Sequence, residues 1–118
     1  MYNRSVKSAD RKKTVKKLDT LFSKWIRNRD KKCMRCGRTD TLQCCHIAGR
    51  RSLAGRWNDK NCITLCYACH LRWSHQNPLE FAEWLKKDLP EFYEEGLRVT
   101  RTTVKNLDLE SLIKKYTL

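Results

Sequence analysis

The sequence predicts an α+β protein that is mainly helical, with a small ββα centre between an N-terminal helix and several C-terminal helices. Three observations lead to this prediction. Apolar residues recur at helical spacing early in the chain, two Cys-x-x-Cys pairs enclose short strand-forming segments in the middle, and helix-start signals follow them. With 118 residues the chain is expected to form a single domain, 1–118, with a modest core.

The first segment, residues 1–32, is predicted to be a basic helical arm. From Thr14 to Asp30 the apolar residues follow a helical period, while lysines and arginines occupy the other positions. The polar segment before Thr14 is expected to fray. Lys24 and Arg27 belong to the basic side of this amphipathic helix, which would face either phosphate groups or solvent.

Four cysteines in the middle of the chain predict a structural zinc site. They form the pairs Cys33-x-x-Cys36 and Cys66-x-x-Cys69, which can supply the four thiolates of a tetrahedral zinc ion. The alternative is that all four are small buried hydrophobic residues. The odd total of seven cysteines and the lack of an apolar signal segment argue against a disulfide framework and favour a reducing, intracellular compartment.

The central segment, residues 33–75, is predicted to have ββα order. The expected elements are a strand, a loop, a second strand and the start of a helix: Thr41 to Ile47, Ala48 to Asn61, Ile63 to Leu65, and Cys69 to about His75. Because side chains alternate along a strand, Cys44 and Cys45 should lie on opposite faces. Cys44 and Cys62 are interpreted as packing residues.

The last segment, residues 76–118, is predicted to be helical. Asn77-Pro78 is typical of a helix start, and this helix should run to about Asp88. A second helix is expected from Glu91 to about Val104, although the β-branched residues near its end weaken that prediction. Asp108 can cap a final helix.

The charge of the chain points to a nucleic acid as its partner. Lysine and arginine number 26 against 13 acidic residues, a formal net charge of +13. Such an excess favours binding to phosphates, because their neutralisation releases counterions. A basic surface that only promotes solubility, or one that binds an anionic membrane, is the alternative. No apolar run is long enough to cross a bilayer, so no membrane segment is expected.

The central segment resembles the HNH endonuclease family. The likeness rests on four pieces in this order: Cys33-x-x-Cys36, Gln43-Cys44-Cys45-His46-Ile47, Asn61, and Leu65-Cys66-x-x-Cys69-His70. His46, Asn61 and His70 match the three residues that name the family. The resemblance implies a zinc-stapled ββα-metal core, a DNA substrate and metal-dependent hydrolysis of phosphodiester bonds.

The resemblance also implies roles for the matching residues. His46 would be the general base that takes a proton from water. Asn61 would hold His46 in position through a backbone hydrogen bond. His70 would bind a catalytic divalent cation, Mg²⁺ or Mn²⁺, which stabilises the departing oxygen.

Two positions depart from the family pattern. Cys45 stands where the family usually has an Asp or His ligand, so either Cys45 is no ligand or the catalytic ion is softer than Mg²⁺, namely Mn²⁺, Ni²⁺ or Zn²⁺. His75 follows His70 by five residues rather than four. It could complete the metal site if the helix is distorted or has ended, contact the scissile phosphate, or lie on the surface.

The loop after His46 is rich in arginine. Arg50, Arg51 and Arg56 are expected to contact DNA phosphates, or else to be solvated charges. Trp57 is more simply a packing residue than a stacking platform for a base. Contacts to the DNA backbone and shape are expected here rather than base-specific reading.

A second likeness concerns the segment from Leu21 to Asp30 that leads into Cys33-x-x-Cys36-Gly37. It is similar to the entry segment of the phage NinG/Rap recombination proteins. That resemblance implies a phage protein in the host cytoplasm that acts on recombination DNA, including branched or Holliday-junction DNA. A homodimer would supply the two active sites that a symmetric junction requires. The alternatives are a non-catalytic zinc module that binds nucleic acid and a regulatory protein that borrows the fold.

Overall fold

The computed structural model of the protein describes residues 4–118, with side chains from residue 9 onward. The fold is mostly helical with a small two-stranded sheet, as the sequence predicted. In chain order, its elements are α1 (Arg4–Asp30), β1 (Leu42–His46), α2 (Leu53–Arg56), a 3₁₀ turn (Asp59–Asn61), β2 (Cys62–Cys66), a π-helical segment (Ala68–Ser74), α3 (Pro78–Asp88), α4 (Pro90–Thr100) and α5 (Leu109–Tyr116).

Helix α1 begins at Arg4, ten residues before the predicted start. The expectation that the segment before Thr14 frays is therefore wrong for residues 4–13, and residues 1–3 lie outside the described part of the chain. Lysine, arginine and alanine have high helix propensity, so the polar residues before Thr14 can extend a helix whose later part is stabilised by packing. Packing is provided by Leu18, Phe22 and Ile26, which are each at most 1% exposed. In residues 4–118, no helix has both the length and the apolar character needed to cross a bilayer.

The two strands form an antiparallel hairpin whose register positions the cysteines. His46 pairs with Cys62 at one end, and Leu42 pairs with Cys66 at the other. Cys45 packs on one face of this sheet with the α3 residue Leu85. The opposite face, which carries Cys44, is covered by α1, and α5 packs in turn on α1.

The end of α1 is fixed to β2 by a pair of charged residues. The Arg29 guanidinium donates to the carbonyl oxygens of Asp59 at 2.7 Å and Cys62 at 2.8 Å. Asp30 accepts a hydrogen bond from the backbone N–H of Thr64 at 2.9 Å. These bonds satisfy backbone groups of a strand that α1 covers, and they fix the position of α1 relative to the hairpin.

The C-terminal helices follow the sequence closely. Helix α3 has the predicted bounds, and Asp108 caps α5 by accepting from Ser111 N. Helix α4 ends at Thr100 rather than Val104, consistent with the low helix propensity of β-branched residues. Helix α5 packs on α1 through Tyr116, whose ring meets the Phe22 ring edge-on at 4.9 Å.

Candidate active site and metal centre

The four predicted zinc ligands come together at one end of the hairpin. The sulfur atoms of Cys33, Cys36, Cys66 and Cys69 all lie within 4.8 Å of one another. The Cys36 and Cys66 sulfurs are 3.7 Å apart, close to the edge of about 3.8 Å in a tetrahedron with Zn–S bonds of about 2.3 Å. This cluster could hold a metal ion such as zinc.

Backbone N–H groups in each Cys-x-x-Cys pair stabilise negative charge on a cysteine sulfur. The N–H groups of Cys36 and Cys69 point at the Cys33 and Cys66 sulfurs, at 3.5 Å in both knuckles. Burial opposes the ionised form of Cys33, but the neighbouring N–H groups outweigh it and lower the pKa of its thiol to about 7. Gly37 has a φ of +80°, a conformation that glycine adopts without strain, and it closes the first knuckle.

The three histidines of the chain line a single cleft at the other end of the hairpin. The cleft has a volume of about 450 Å³ and is bounded by α1, β1, the arginine-rich loop and the π-helical segment. Its lining residues are Asp19, Phe22, Ser23, Cys44, His46, Gly49, Arg50, His70 and His75. His46, His70 and His75, which the sequence singled out separately, therefore line one cleft.

His46 is held so that one ring nitrogen is available to a ligand. Its Nε2 lies 2.8 Å from the carbonyl oxygen of Arg56. Because a carbonyl only accepts, Nε2 carries the proton and Nδ1 keeps a lone pair. Burial lowers the pKa of His46, so the ring is neutral near pH 7. A neutral, oriented imidazole is what a general base requires.

Asn61 holds the loop that supplies this carbonyl. Its amide accepts from Ala48 N at 2.9 Å and donates to the carbonyls of Ala48 at 3.0 Å and Gly55 at 3.1 Å. Asn61 is fully buried, so these bonds replace its hydration. The sequence predicted a backbone hydrogen bond from Asn61 to orient His46. The carbonyl that meets the His46 ring belongs to Arg56, whereas the Asn61 carbonyl accepts from the backbone N–H of Ile47, next to His46, at 2.8 Å.

His70 is oriented by a partner that sequence analysis did not single out. Its Nδ1 lies 2.8 Å from the side-chain oxygen of Gln43, so Nδ1 donates and Nε2 keeps the lone pair. Burial lowers the pKa of His70 to about 4, with smaller contributions from His75 and His46. An available signal was the position of Gln43, which precedes His46 by three residues within the quoted motif.

His75 lies beside His70 despite their spacing of five residues. The two rings are 4.6 Å apart between centroids and meet edge-on. His75 is exposed at the rim of the cleft and His70 is half-buried within it. Imidazole nitrogen is a better ligand for cations such as Ni²⁺ or Zn²⁺ than for the oxygen-preferring Mg²⁺.

Cys45 does not reach the cleft. Its side chain is 1% exposed among apolar residues on the far face of the sheet. Burial raises the pKa of its thiol to about 12, so it is not a thiolate at neutral pH. Of the two alternatives for Cys45, this geometry favours the one in which Cys45 is not a ligand of the catalytic ion. Strand alternation instead directs Cys44 to the face that His46 occupies, and Cys44 lines the cleft.

The predicted DNA-binding arginines have different environments. Arg56 binds the Asp19 carboxylate with two hydrogen bonds of 3.1 and 2.7 Å, and Trp57 donates to the same carboxylate at 3.0 Å. Arg56 therefore links the loop to α1. Arg50 is 59% exposed at the cleft, with one contact to Asp19 at 3.2 Å. Arg51 is exposed on the same loop but does not line the cleft.

The two predicted DNA-binding residues of α1 lie outside the cleft. Lys24 is exposed. Arg27 is half-buried, and its guanidinium donates to the carbonyl of Ser23 at 3.2 Å. Of the five predicted contacts to DNA, Arg50 is the one that lines the cleft with the histidines, whereas Arg56 meets His46 through its backbone carbonyl.

The chain was also compared with models of protein families, with curated proteins and with solved structures, and no match was found. Function is therefore inferred from the side chains of the cleft, their hydrogen bonds and the charge around them. Within the described chain, these features combine a four-cysteine cluster that could hold zinc with a separate cleft lined by three histidines.

Proposed function

We propose that the protein is a metal-dependent endonuclease of the HNH type that hydrolyses phosphodiester bonds in DNA. The observation that carries the proposal is the pair of complementary histidine tautomers in one cleft. His46 presents Nδ1 and His70 presents Nε2, because the other nitrogen of each ring is hydrogen-bonded to a protein oxygen. One ring is thus available as a base and the other as a ligand.

In this mechanism His46 takes a proton from the attacking water at Nδ1. The Arg56 carbonyl keeps the ring aimed and stabilises the imidazolium that forms, because Nε2–H donates to it throughout. Asn61 keeps the Arg56 carbonyl in position, because its side-chain amide fixes the loop at Ala48 and Gly55. A general base of this kind contributes about 10²–10⁴-fold to the rate.

His70 and His75 are the residues that would hold the catalytic cation. The Gln43 oxygen orients His70 in the way that a partner behind a metal-bound histidine usually does. When bound, a divalent cation supplies positive charge to the scissile phosphate and the leaving oxygen. The family resemblance implies Mg²⁺ or Mn²⁺, whereas imidazole ligands favour the softer ions Ni²⁺ or Zn²⁺.

The proposed substrate is DNA, because the chain carries a net charge of +13 and presents arginine at the cleft. Arg50 is placed to bind a phosphate next to the scissile bond, while Arg51 and Lys24 extend the exposed basic surface. The likeness of the α1 end to the phage recombination proteins supports branched recombination DNA as the target. A homodimer would cut such a junction symmetrically.

A cleavage assay tests the proposal. Purified protein would be incubated with linear, nicked, flapped and four-way-junction DNA, with Mg²⁺, Mn²⁺, Ni²⁺ or no added metal. We expect metal-dependent cleavage that His46→Ala lowers by about 10²-fold or more while DNA affinity is retained. Lys87→Ala is the control, because it removes a charge from the exposed side of α3 and leaves the cleft intact.

Two results would contradict the proposal. Full activity of His46→Ala on matched protein and DNA would exclude His46 as the base. Binding without cleavage under every metal would instead favour the non-catalytic zinc module.

A further inference from the structure

A second group of metal-binding side chains lies at the His46 end of the hairpin. The Cys44 sulfur, a His46 ring nitrogen and the Cys62 sulfur are all within 4.8 Å of one another. His46 and Cys62 are directly paired across the strands, and Cys44 precedes His46 by two residues on the same face. The hairpin itself thus brings the three donors together.

We propose that Cys44, His46 and Cys62 form a second site for a soft divalent cation, zinc in particular, and that this ion switches the nuclease off by occupying His46. The switching part rests on the function proposed above. Two sulfurs and one imidazole are a donor set that zinc accepts readily and that Mg²⁺ does not.

The site differs from the four-cysteine cluster in position and in coordination. Cys66 of that cluster pairs with Leu42, whereas Cys62 pairs with His46, so the two groups occupy opposite ends of β2. The four-cysteine cluster supplies a complete tetrahedron. The second group supplies three ligands and has its fourth side at the cleft, which Cys44 and His46 line and from which water could complete the coordination.

Occupancy of this site is incompatible with base catalysis by His46. An imidazole nitrogen bonded to a metal has no lone pair left to take a proton from water. Use of Nε2 instead would break the bond to the Arg56 carbonyl that aims the ring. In both cases the ion and the attacking water compete for one side chain, and hydrolysis stops while the ion is bound.

The simpler interpretation is that Cys44 and Cys62 only fill space. Cys62 is fully buried, and both cysteines belong to the cluster around Leu18 and Phe22. The two interpretations differ in the number of zinc ions that the folded chain binds, and that number can be measured without any assay of activity.

The first experiment counts zinc. Wild-type protein and the variants Cys44→Ala and Cys62→Ala would be dialysed against micromolar Zn²⁺, and bound zinc would be measured per folded chain. We expect one zinc ion fewer in each variant than in the wild type, whether or not His70 and His75 hold a further zinc. Cys45→Ala is the matched control, because it removes the adjacent thiol from the other face of the sheet and should keep the wild-type number of ions.

One ion in the wild type would overturn the proposal, as would the same number of ions in the wild type, Cys44→Ala and Cys62→Ala. The use of two variants keeps the test valid if one of them fails to fold, since circular dichroism identifies the folded one. Loss of zinc from Cys45→Ala alone would also count against the assignment.

The second experiment measures inhibition. Zn²⁺ would be titrated into Mn²⁺-dependent cleavage, and each protein would be compared with its own zinc-free rate. Because loss of even an indirect partner of a metal costs about 10–100-fold in affinity, Cys62→Ala should need at least about tenfold more zinc for half-inhibition. Equal inhibition of both proteins would overturn the switch. A wild type that cleaves no DNA would refute the proposed nuclease and its switch, while the zinc count would still decide the site.

Discussion

The backbone N–H of His75 donates to the carbonyl oxygen of His70 at 3.1 Å, a hydrogen bond across five residues rather than four. In an α-helix, residues five apart diverge by about 140° around the axis. The π-helical turn corrects this divergence, and the two rings meet at 4.6 Å. Because His70 and His75 are five residues apart, they could bind one ion only if the helix were distorted. That distortion is present in the fold.

This arrangement makes the metal requirement depend on His75. We expect His75→Ala to raise the Mn²⁺ concentration for half-maximal cleavage by at least about tenfold at pH 7.5, because a direct imidazole ligand is lost and even an indirect partner is worth about 10–100-fold. The measurement is the cleavage rate as a function of Mn²⁺ concentration. Gln76→Ala, at the next exposed position, is the control. An unchanged metal requirement in His75→Ala would place this side chain outside the metal site.

Gln43 should affect metal binding through His70. Gln43→Leu removes the oxygen that accepts from His70 Nδ1 at 2.8 Å, so the tautomer with a free Nε2 loses its support. We expect a decrease in Mn²⁺ affinity of about 10–100-fold, with zinc in the four-cysteine cluster unchanged. Gln43→Glu keeps an acceptor and should restore most of the affinity. Equal losses in both variants would indicate a packing role for Gln43.

The elements of the fold that the sequence predicted are those with strong local signals. The start of α3 was predicted because Asn77-Pro78 is a local helix-start signal, and the strands because their strand-forming residues are bounded by cysteine and glycine-rich segments. The start of α1 was missed because the polar residues before Thr14 carry no apolar period, although their helix propensity is high.

The site was predictable in its residues but not in its contacts. Alternation separated Cys44 from Cys45 correctly, yet nothing local indicates which of the two faces α1 will cover. The ion pair of Asp19 and Arg56 joins residues 37 positions apart. A charge pair at that separation produces no periodic pattern in the sequence from which it could be predicted. Arg56 was consequently predicted to bind DNA, whereas the structure commits it to Asp19.

Gly55 lies so close to Asn61 that substitution by alanine, which adds one methyl group, should destabilise the protein. A Cβ at position 55 would lie 2.6 Å from Asn61 Nδ2, whereas a Cβ at Gly49 would meet nothing within 4 Å. We expect Gly55→Ala to lower the free energy of unfolding by about 1–3 kcal/mol and to slow cleavage by displacing the Arg56 carbonyl. Gly49→Ala should change stability by less than about 0.5 kcal/mol.

Urea unfolding at a fixed zinc concentration would measure both glycine variants. Equal stabilities of Gly55→Ala and Gly49→Ala would mean that the loop moves freely away from Asn61. The amide of Asn61 would then not be what holds the Arg56 carbonyl against His46.

Because of Tyr116, the stability of the protein should decrease at alkaline pH. Its hydroxyl donates to the Trp57 carbonyl and the Asp59 carboxylate, at 3.0 and 2.9 Å. Burial, and next the Asp59 charge, raise the pKa of Tyr116 above its ordinary value of 10.0. A group with a raised folded-state pKa contributes stability that is complete below the unfolded value and is lost as the pH rises above it.

Tyr116→Phe tests this dependence. At pH 8 the variant should be less stable than the wild type by about 1–2 kcal/mol, because the hydrogen bonds to Asp59 and Trp57 are lost. The difference should narrow at pH 11, where ionisation of the tyrosine in the unfolded chain favours unfolding of the wild type alone. Urea midpoints at both pH values measure it, and Tyr67→Phe, at an exposed tyrosine, is the control. A difference that is constant between pH 8 and 11 would show that the Tyr116 hydroxyl ionises as readily in the folded protein as in the unfolded chain.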